Sequence, residues 1–289
     1  MAFTPQKWRV GGVPEHFNYP WQLARENKLT ARQEFDFTWL DYPGGTGAMA
    51  LDLAEGKLDL ALMLTEGAVA AIAKGLPAKI IGVYVESPLT WGIHTHATSP
   101  YNSLDEVQQK TFAISRPNSG SHLMAYVLAQ TQQWLPESLH FEVVGNFEGA
   151  RQALASGKTQ LFMWEKYTTA PTVRAGEWKR IGECLTPWPA FVIVAHEAVV
   201  GAPSLPLLLR LIREQALPFY PQAEDRLAYI RQQYPLHPED VAEWYAQTRW
   251  AIQSPANAQM LNTTQDTLLA LGILSEKKPI EALSQALDF

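Results

Sequence analysis

Short apolar runs alternate with amphipathic segments over the first 90 residues of the chain. Strands are predicted at residues 8–13 (WRVGGV) and at residues 34–42 (EFDFTWLDY), where apolar and polar positions alternate with period two. Residues 58–64 (LDLALML) are almost continuously apolar, which is typical of a strand buried on both faces of a parallel sheet. A further strand is predicted at residues 79–86, and the intervening segments have the apolar spacing of helices: 21–27, 48–56 and 66–75. This alternation predicts βαβ units and an α/β fold.

The alternation of predicted strands and helices repeats after residue 100. Residues 103–106 (SLDE) have the pattern of a capping box, which predicts the start of a short helix. Strands are predicted at residues 111–115 and 141–145, with a helix at residues 122–134 between them. From residue 201 onward the apolar spacing is helical, with segments predicted at 205–220, 224–234 and 238–252.

An internal repeat predicts two lobes of like topology. The segment LAEGKLDL at residues 53–60 is similar to LASGKTQL at residues 154–161, and each leads into an apolar strand. The first lobe is predicted to comprise residues 1–90 and 195–289, and the second residues 91–194. Segments 86–96 and 188–196 would carry the chain from the first lobe to the second and back again. The expected architecture is a hinged two-lobed clamshell with a helical C-terminal tail.

Composition and charge narrow the classes of partner. The chain has 289 residues, a net charge of −6, 47% hydrophobic and 18% charged residues, and its Lys and Arg residues form no stripe, so nucleic acid is not an expected partner. The single cysteine, Cys184, excludes an internal disulfide and a cysteine-based metal site. The amino terminus lacks the pattern of a signal peptide, and no apolar run approaches the ~20 residues needed to cross a bilayer. The expected protein is soluble, not membrane-embedded and cytoplasmic, or periplasmic if a leader has been removed.

Candidate ligand-binding residues follow the predicted strands, because ligands of open α/β sheets bind beyond the carboxyl ends of the strands. In the first lobe they are His16, Phe17, Gly45, Thr46, Gly47, Thr65, Glu66 and Ser87. In the second lobe they are Ser115, Arg116, Ser119, Gly120, Ser121, His122, Phe147, Trp164 and Glu165.

These residue types predict the recognition of a small anionic or zwitterionic molecule. Backbone N–H groups at the glycine- and serine-rich helix starts would bind a carboxylate, sulfonate or phosphate, and Arg116 would add a charged contact. Glu66 and Glu165 would accept hydrogen bonds from donor groups. Phe17 and Trp164 would stack on the ligand.

Several short motifs would indicate functions other than the binding of a small anion, but the support for each of them is weaker. Residues 45–50 (GTGAMA) fit a dinucleotide-binding pattern, with Glu66 at a suitable distance, but they follow the second strand; a dehydrogenase stays open as an alternative. Residues 156–159 (SGKT) end like a phosphate-binding loop, yet they precede a strand. The pair His94 and His96 could bind a metal but has no third ligand nearby, and no G-x-S-x-G motif is present. Cys184 is expected to be structural. The sequence thus predicts no catalytic residues, metal or cofactor.

Three segments carry a resemblance to a known family: WRVGGVPEHF (8–17), the block at residues 41–67, and ISRPNSGSHLMA (114–125). They resemble the type II periplasmic binding fold. Within it they are similar to the substrate-binding proteins of aliphatic-sulfonate and thiamine-precursor ABC transporters, which include thiamine-pyrimidine synthases. The resemblance extends over roughly residues 7–196.

The resemblance implies a binding protein that closes two lobes on a small organic solute, with an ABC permease as partner if the protein is exported. A heteroaromatic ligand would fit. The alternative is a cytoplasmic enzyme on the same fold that acts on a small organic acid, like a menaquinone-pathway enzyme or a thiamine-pyrimidine synthase. In that case Glu165, His16 or His122 would be the acid or base.

Overall fold

A computed structural model describes residues 6–30, 33, 35–216, 223–234 and 236–287 of the chain. Contacts group these residues into two units. Unit 1 takes in the described residues of 1–87, 187–234 and 245–289, and unit 2 those of 88–186 and 235–244.

The first part of unit 1 alternates strands and helices in the predicted order. Its elements are β1 (Gln6–Gly12), a 3₁₀ turn (His16–Asn18), α1 (Tyr19–Glu26), β2 (Phe35–Asp41), α2 (Gly45–Ala54), β3 (Leu60–Leu64) and α3 (Thr65–Ala73). The glycine-rich segment that the sequence predicts as a loop lies in the first turn of α2, so that helix starts earlier than expected. Glu34, at the edge of the predicted second strand, lies outside the described residues.

The chain passes between the units within two long strands. The first, β4 (Ala78–His96), has 19 residues, and it continues through the segment that the sequence interprets as a separate crossing. After β4, and before the second long strand, the chain forms these elements of unit 2: β5 (Thr111–Ile114), α4 (Gly120–Thr131), β6 (His140–Val143), α5 (Phe147–Ala155), β7 (Leu161–Glu165) and α6 (Lys166–Arg174). The return strand is β8 (Trp178–His196), also 19 residues long. The predicted capping box is present at a 3₁₀ turn, Leu104–Glu106. The Ser103 side chain accepts a hydrogen bond from the backbone of Glu106, and the Glu106 side chain accepts one from the backbone of Ser103.

The two units share a strand order. In unit 1 it is β2-β1-β3-β8, with β1 parallel to β2 and β3, and β8 antiparallel to β3. In unit 2 it is β6-β5-β7-β4, with β5 parallel to β6 and β7, and β4 antiparallel to β7. The two copies of the sequence repeat occupy corresponding places. Gly56 (φ 65°) follows the last residues of α2 before β3, and Gly157 (φ 71°) follows α5 before β7.

The C-terminal region consists mainly of helices: α7 (Ser204–Ala216), α8 (Ala223–Gln233), α9 (Pro238–Gln247), α10 (Ala258–Ala270) and α11 (Ile280–Leu283). One prediction here is wrong. The helix predicted at residues 238–252 ends at Gln247, and β9 (Trp250–Ser254) follows and pairs with β4. Residues 217–220 of the helix predicted at 205–220 lie outside the described residues.

Candidate ligand-binding site

The first turns of α2 and α3 contact each other at one end of unit 1. Thr46 Oγ1 accepts a hydrogen bond from the N–H of Leu64 at 3.1 Å. A Cβ at Gly67 would lie 2.5 Å from Thr46 Cγ2, so the glycine allows this close approach. Among the described residues, no acceptor bonds the N–H groups of Thr46 and Gly47, as expected in the first turn of a helix. The structure therefore brings these two residues close to Thr65 and Glu66.

Glu66 is a buried carboxyl group in the first turn of α3. It is 3% exposed, and its Oε2 accepts a hydrogen bond from Trp188 Nε1 at 2.8 Å. Burial raises the pKa of Glu66 to about 7, although the hydrogen bonds from its own backbone and from Trp188 oppose the shift. The neighbouring Thr65 hydroxyl donates to the carbonyl of Pro189 at 2.5 Å.

Phe17 lies at the same end of β3 as Glu66. Its ring centroid is 5.0 Å from that of Phe191, and β8 pairs Phe191 with Leu64 at the end of β3. The carbonyl of Phe17 accepts hydrogen bonds from Tyr84 Oη at 2.8 Å and from Trp250 Nε1 at 3.0 Å, which fix the backbone there. The aromatic side chain predicted to stack on a ligand is itself 5% exposed.

His16 stacks on Phe17 with ring centroids 4.8 Å apart. Burial lowers the pKa of His16 to about 3, so the ring is neutral at physiological pH. A base with this pKa is far from the value near 7 that general-base catalysis favours. Ser87 is also buried, and its hydroxyl accepts a hydrogen bond from the N–H of Arg249 at 3.2 Å.

In unit 2 the segment at residues 115–122 joins β5 to α4 through a network of serines. The N–H of Ser115 donates to Ser121 Oγ at 3.0 Å, and Ser119 and Ser121 bond each other at 3.1 Å. Ser119 is the N-cap of α4 and accepts from the N–H of His122. The serine side chains are therefore occupied with shaping the helix start.

This segment also contains donors without a partner among the described residues: the Arg116 guanidinium and two backbone N–H groups. The Arg116 side chain is exposed, and its guanidinium has no hydrogen-bonding or ionic partner among the described residues. The N–H groups of Gly120 and Ser121 bond no acceptor in the described part of the chain. This arrangement places an arginine next to a helix N-terminus, where the helix dipole and the free donors both favour an anion.

His122 packs inside an aromatic cluster. Its ring centroid lies 4.5 Å from that of Phe141 and 5.2 Å from that of Tyr126, and its Nδ1 accepts a hydrogen bond from the N–H of Asn118. Partial burial lowers the pKa of His122. Its observed contacts are structural.

Phe147 and Trp164 lie against the hydrophobic core of unit 2. Phe147 is the first residue of α5, and its ring centroid is 5.2 Å from that of Trp178. Trp164 stacks on Phe162 at 5.3 Å and meets Trp91 edge-on at 6.3 Å. Both side chains are partly exposed.

Glu165 is a helix cap. Its carboxylate accepts hydrogen bonds from the N–H of Tyr167 at 3.1 Å and the N–H of Thr168 at 2.7 Å, and from Thr168 Oγ1 at 2.8 Å. Burial raises its pKa, and the hydrogen bonds from α6 oppose this shift. The oxygens that were expected to bind ligand donors are used at the start of α6.

Two buried residues near these positions were not predicted from the sequence. Trp188, which bonds Glu66, was not among the candidate residues. Lys166, 8% exposed, pairs with Glu183 at 3.0 Å and with Glu243 at 2.8 Å. A lysine directly after a strand was a visible signal, but its partners come from distant parts of the chain.

The alternative motifs have structural explanations. His94 is buried, with Nδ1 near the carbonyl of Phe162 and Nε2 bonded to Thr169 Oγ1, and the described residues include no cluster of three or more metal-binding side chains. Residues 156–159 join the end of α5 to β7, so they do not form a phosphate-binding loop before a helix. Cys184 is buried, which raises its pKa to about 11.

Comparisons with known proteins identify the fold. Residues 91–184 match the family model described as a Ca3427-like PBP. The Candida albicans CA3427 gene product, described as having the generic periplasmic binding protein fold, is 24% identical with a TM-score of 0.86 over 96% of both chains. The alkanesulfonate-binding protein SsuA from Xanthomonas axonopodis pv. citri, bound to MOPS, is 16% identical with a TM-score of 0.83 over 99% of this chain and 100% of that one. The periplasmic aliphatic sulphonate-binding protein SsuA from Escherichia coli is 17% identical with a TM-score of 0.77 over 96% of both chains.

The chain therefore has the type II periplasmic-binding-protein fold, and this confirms the prediction made from its sequence. A comparison with curated protein sequences finds no match. None of the described helices combines the length and hydrophobicity that a bilayer-crossing helix requires. The cytoplasmic location expected from the sequence stays a prediction.

Proposed function

We propose that this protein binds a small anionic or zwitterionic organic molecule. The observation that carries the proposal is the exposed, unpartnered Arg116 beside the N-terminus of α4. A guanidinium next to free backbone N–H groups suits a sulfonate, carboxylate or phosphate.

The start of α2 in unit 1 supports the same class of ligand. The N–H groups of Thr46 and Gly47 bond no acceptor among the described residues, and they lie at the carboxyl end of the parallel strands. Phe17 and Phe191 add aromatic surface at this end, which would suit a ligand with a ring. The similarity to SsuA structures, one of them bound to MOPS, makes sulfonates the first compounds to test. An ABC permease as partner stays a prediction.

Arg116→Ala should weaken the binding of MOPS about tenfold or more and leave the fold intact, because a hydrogen bond to a charged group contributes about 1.5–3 kcal/mol. Isothermal titration calorimetry on wild type and variant measures the change. Arg210→Ala, on α7, removes another exposed arginine that has no partner among the described residues, and it should bind as wild type does.

Two results would contradict this proposal. Equal affinity of wild type and Arg116→Ala would remove Arg116 from the site. Failure of MOPS, other sulfonates and small carboxylates to bind wild type, with native mass spectrometry detecting no co-purified small molecule, would overturn the function itself.

A further inference from the structure

The carboxyl group of Glu66 has one oxygen without a partner in an enclosed place. Its Oε2 accepts from Trp188 Nε1, whereas its Oε1 is shielded from solvent and bonds nothing in the described part of the chain. No lysine, arginine or histidine of the described residues forms an ion pair with it. The raised pKa of Glu66 has the same origin, since burial is its largest cause.

An enclosed carboxylate oxygen without a donor is destabilising relative to one that is hydrogen-bonded. Protonation removes the charge but still leaves a polar group to satisfy. Since bulk water does not reach Oε1, a bound molecule that carries a hydrogen-bond donor is the natural partner.

Glu165 shows how the chain satisfies another buried carboxylate at a helix start. Both of its oxygens accept hydrogen bonds at the start of α6, and its neighbour Lys166 is paired with two glutamates. Glu66 also lies at a helix start directly after a strand, but only one of its oxygens is satisfied. Of these two glutamates, only Glu66 has an oxygen without a donor among the described residues.

The surroundings of Glu66 are aromatic and hydroxyl-bearing. Trp188 bonds it directly, and Phe17 and Phe191 lie at the same end of β3. An ammonium or amino group is well suited to a place that offers a carboxylate oxygen and aromatic faces.

We infer that Glu66 binds an amino or ammonium group of the ligand, so that the protein selects amino-bearing anions over simple anions of the same size. This inference rests on the function proposed above and narrows it. Within unit 1 it divides the ligand between two kinds of contact: the N–H groups at the start of α2 bind the anionic group, and Glu66 binds the amino group.

A matched pair of sulfonates tests the selection. Taurine (2-aminoethanesulfonate) and ethanesulfonate differ by one amino group, and calorimetry at pH 8, where Glu66 is mainly ionised, measures both dissociation constants. We expect wild type to bind taurine about tenfold or more tightly than ethanesulfonate, because a hydrogen bond to a charged group is lost with the amino group. Glu66→Gln, which is nearly isosteric, should reduce the preference to about twofold or less.

Glu55→Gln is the matched control. It removes an exposed carboxylate at the end of α2, which pairs with Lys57, and it should preserve the wild-type preference. Equal affinity of wild type for the two sulfonates would overturn the inference and leave the proposed function standing, and this arm needs no variant. A preference that survives Glu66→Gln would also overturn it. Binding of neither sulfonate, nor of MOPS, would overturn the proposed function and the inference together.

Discussion

At the scale of single residues, Glu66 couples the stability of the protein to pH. Its pKa rises from an ordinary value of 4.5 to about 7 on folding, because of burial. Between these values the folded chain holds a proton that the unfolded chain has released, so the free energy of unfolding from this group falls as pH rises. We expect the difference between wild type and Glu66→Gln to fall by up to about 1.4 kcal/mol per pH unit between pH 4.5 and 7, and to level off above.

Urea unfolding of both proteins at several pH values measures this difference. The buried His16 and His94, each with a pKa near 3, act in the opposite sense, since their contribution is lost as pH falls below about 6.5. They are present in both proteins, so the subtraction cancels them. Parallel profiles for the two proteins would show that the carboxyl of Glu66 does not titrate as described.

Residue types after predicted strands suggested candidate positions, but they did not reveal which of these side chains already have hydrogen-bonding partners within the protein. Arg116 and Glu66 could be selected because ligand sites follow the carboxyl ends of strands. The cap that Glu165 forms on α6 had a local signal in the sequence, because Thr168 follows three residues later and bonds it. The prediction did not take this signal into account. The packing of His122 on Tyr126 follows helical spacing, whereas its contact with Phe141 depends on how β6 and α4 come together, which no local pattern encodes.

At the scale of elements, two glycines end corresponding helices. Gly56 and Gly157 have φ values of 65° and 71°, and a Cβ at either position would meet no neighbouring atom within 4 Å. The cost of a substitution there is conformational, because an L-residue in the left-handed region loses about 1–2 kcal/mol. We expect Gly56→Ala and Gly157→Ala each to lower the free energy of unfolding by about this amount, measured by urea denaturation.

Gly201→Ala is the matched control for these helix ends. Gly201 also has open space around its Cβ position, but its φ lies outside the left-handed region. Its substitution should change stability by less than about 0.5 kcal/mol. Equal losses at all three positions would mean that removing any glycine, and not the backbone conformation, is responsible.

Most strands and helices could be predicted because their apolar periodicity persists over whole elements. The exception at Trp250–Ser254 has a physical reason. Five residues, three apolar ones followed by two polar ones, fit a strand or the end of a helix equally well, and pairing with β4 decides between them. Similarly, β4 and β8 extend well beyond the apolar runs that predicted them. Their length depends on continuous backbone pairing, which is not visible in the sequence.

At the scale of the whole molecule, the sequence predicted the fold but not the assignment of every segment. It placed all of residues 195–289 in one lobe, whereas contacts group the described residues of 235–244 with unit 2. Ion pairs of α6 with α9 lie within this unit: Arg174 bonds Asp240 at 2.8 Å, and Lys166 bonds Glu243. Pairs separated by more than 60 residues leave no periodic signal, so only the folded structure reveals them.

A ligand that binds only the folded chain should stabilise the whole molecule by mass action. At a MOPS concentration of about 100 times its dissociation constant, the free energy of unfolding should rise by about 2.7 kcal/mol, and each further tenfold increase should add about 1.4 kcal/mol. For a chain of this size the first step corresponds to a rise in melting temperature of about 4–5 °C. Differential scanning fluorimetry over a wide range of MOPS concentrations measures the dependence, which should be logarithmic above the dissociation constant. The curve of Arg116→Ala should shift to higher concentration, and potassium chloride at equal ionic strength should not reproduce it. A rise that is linear in MOPS concentration and identical in Arg116→Ala would indicate a general solute effect on folding, and it would contradict specific binding.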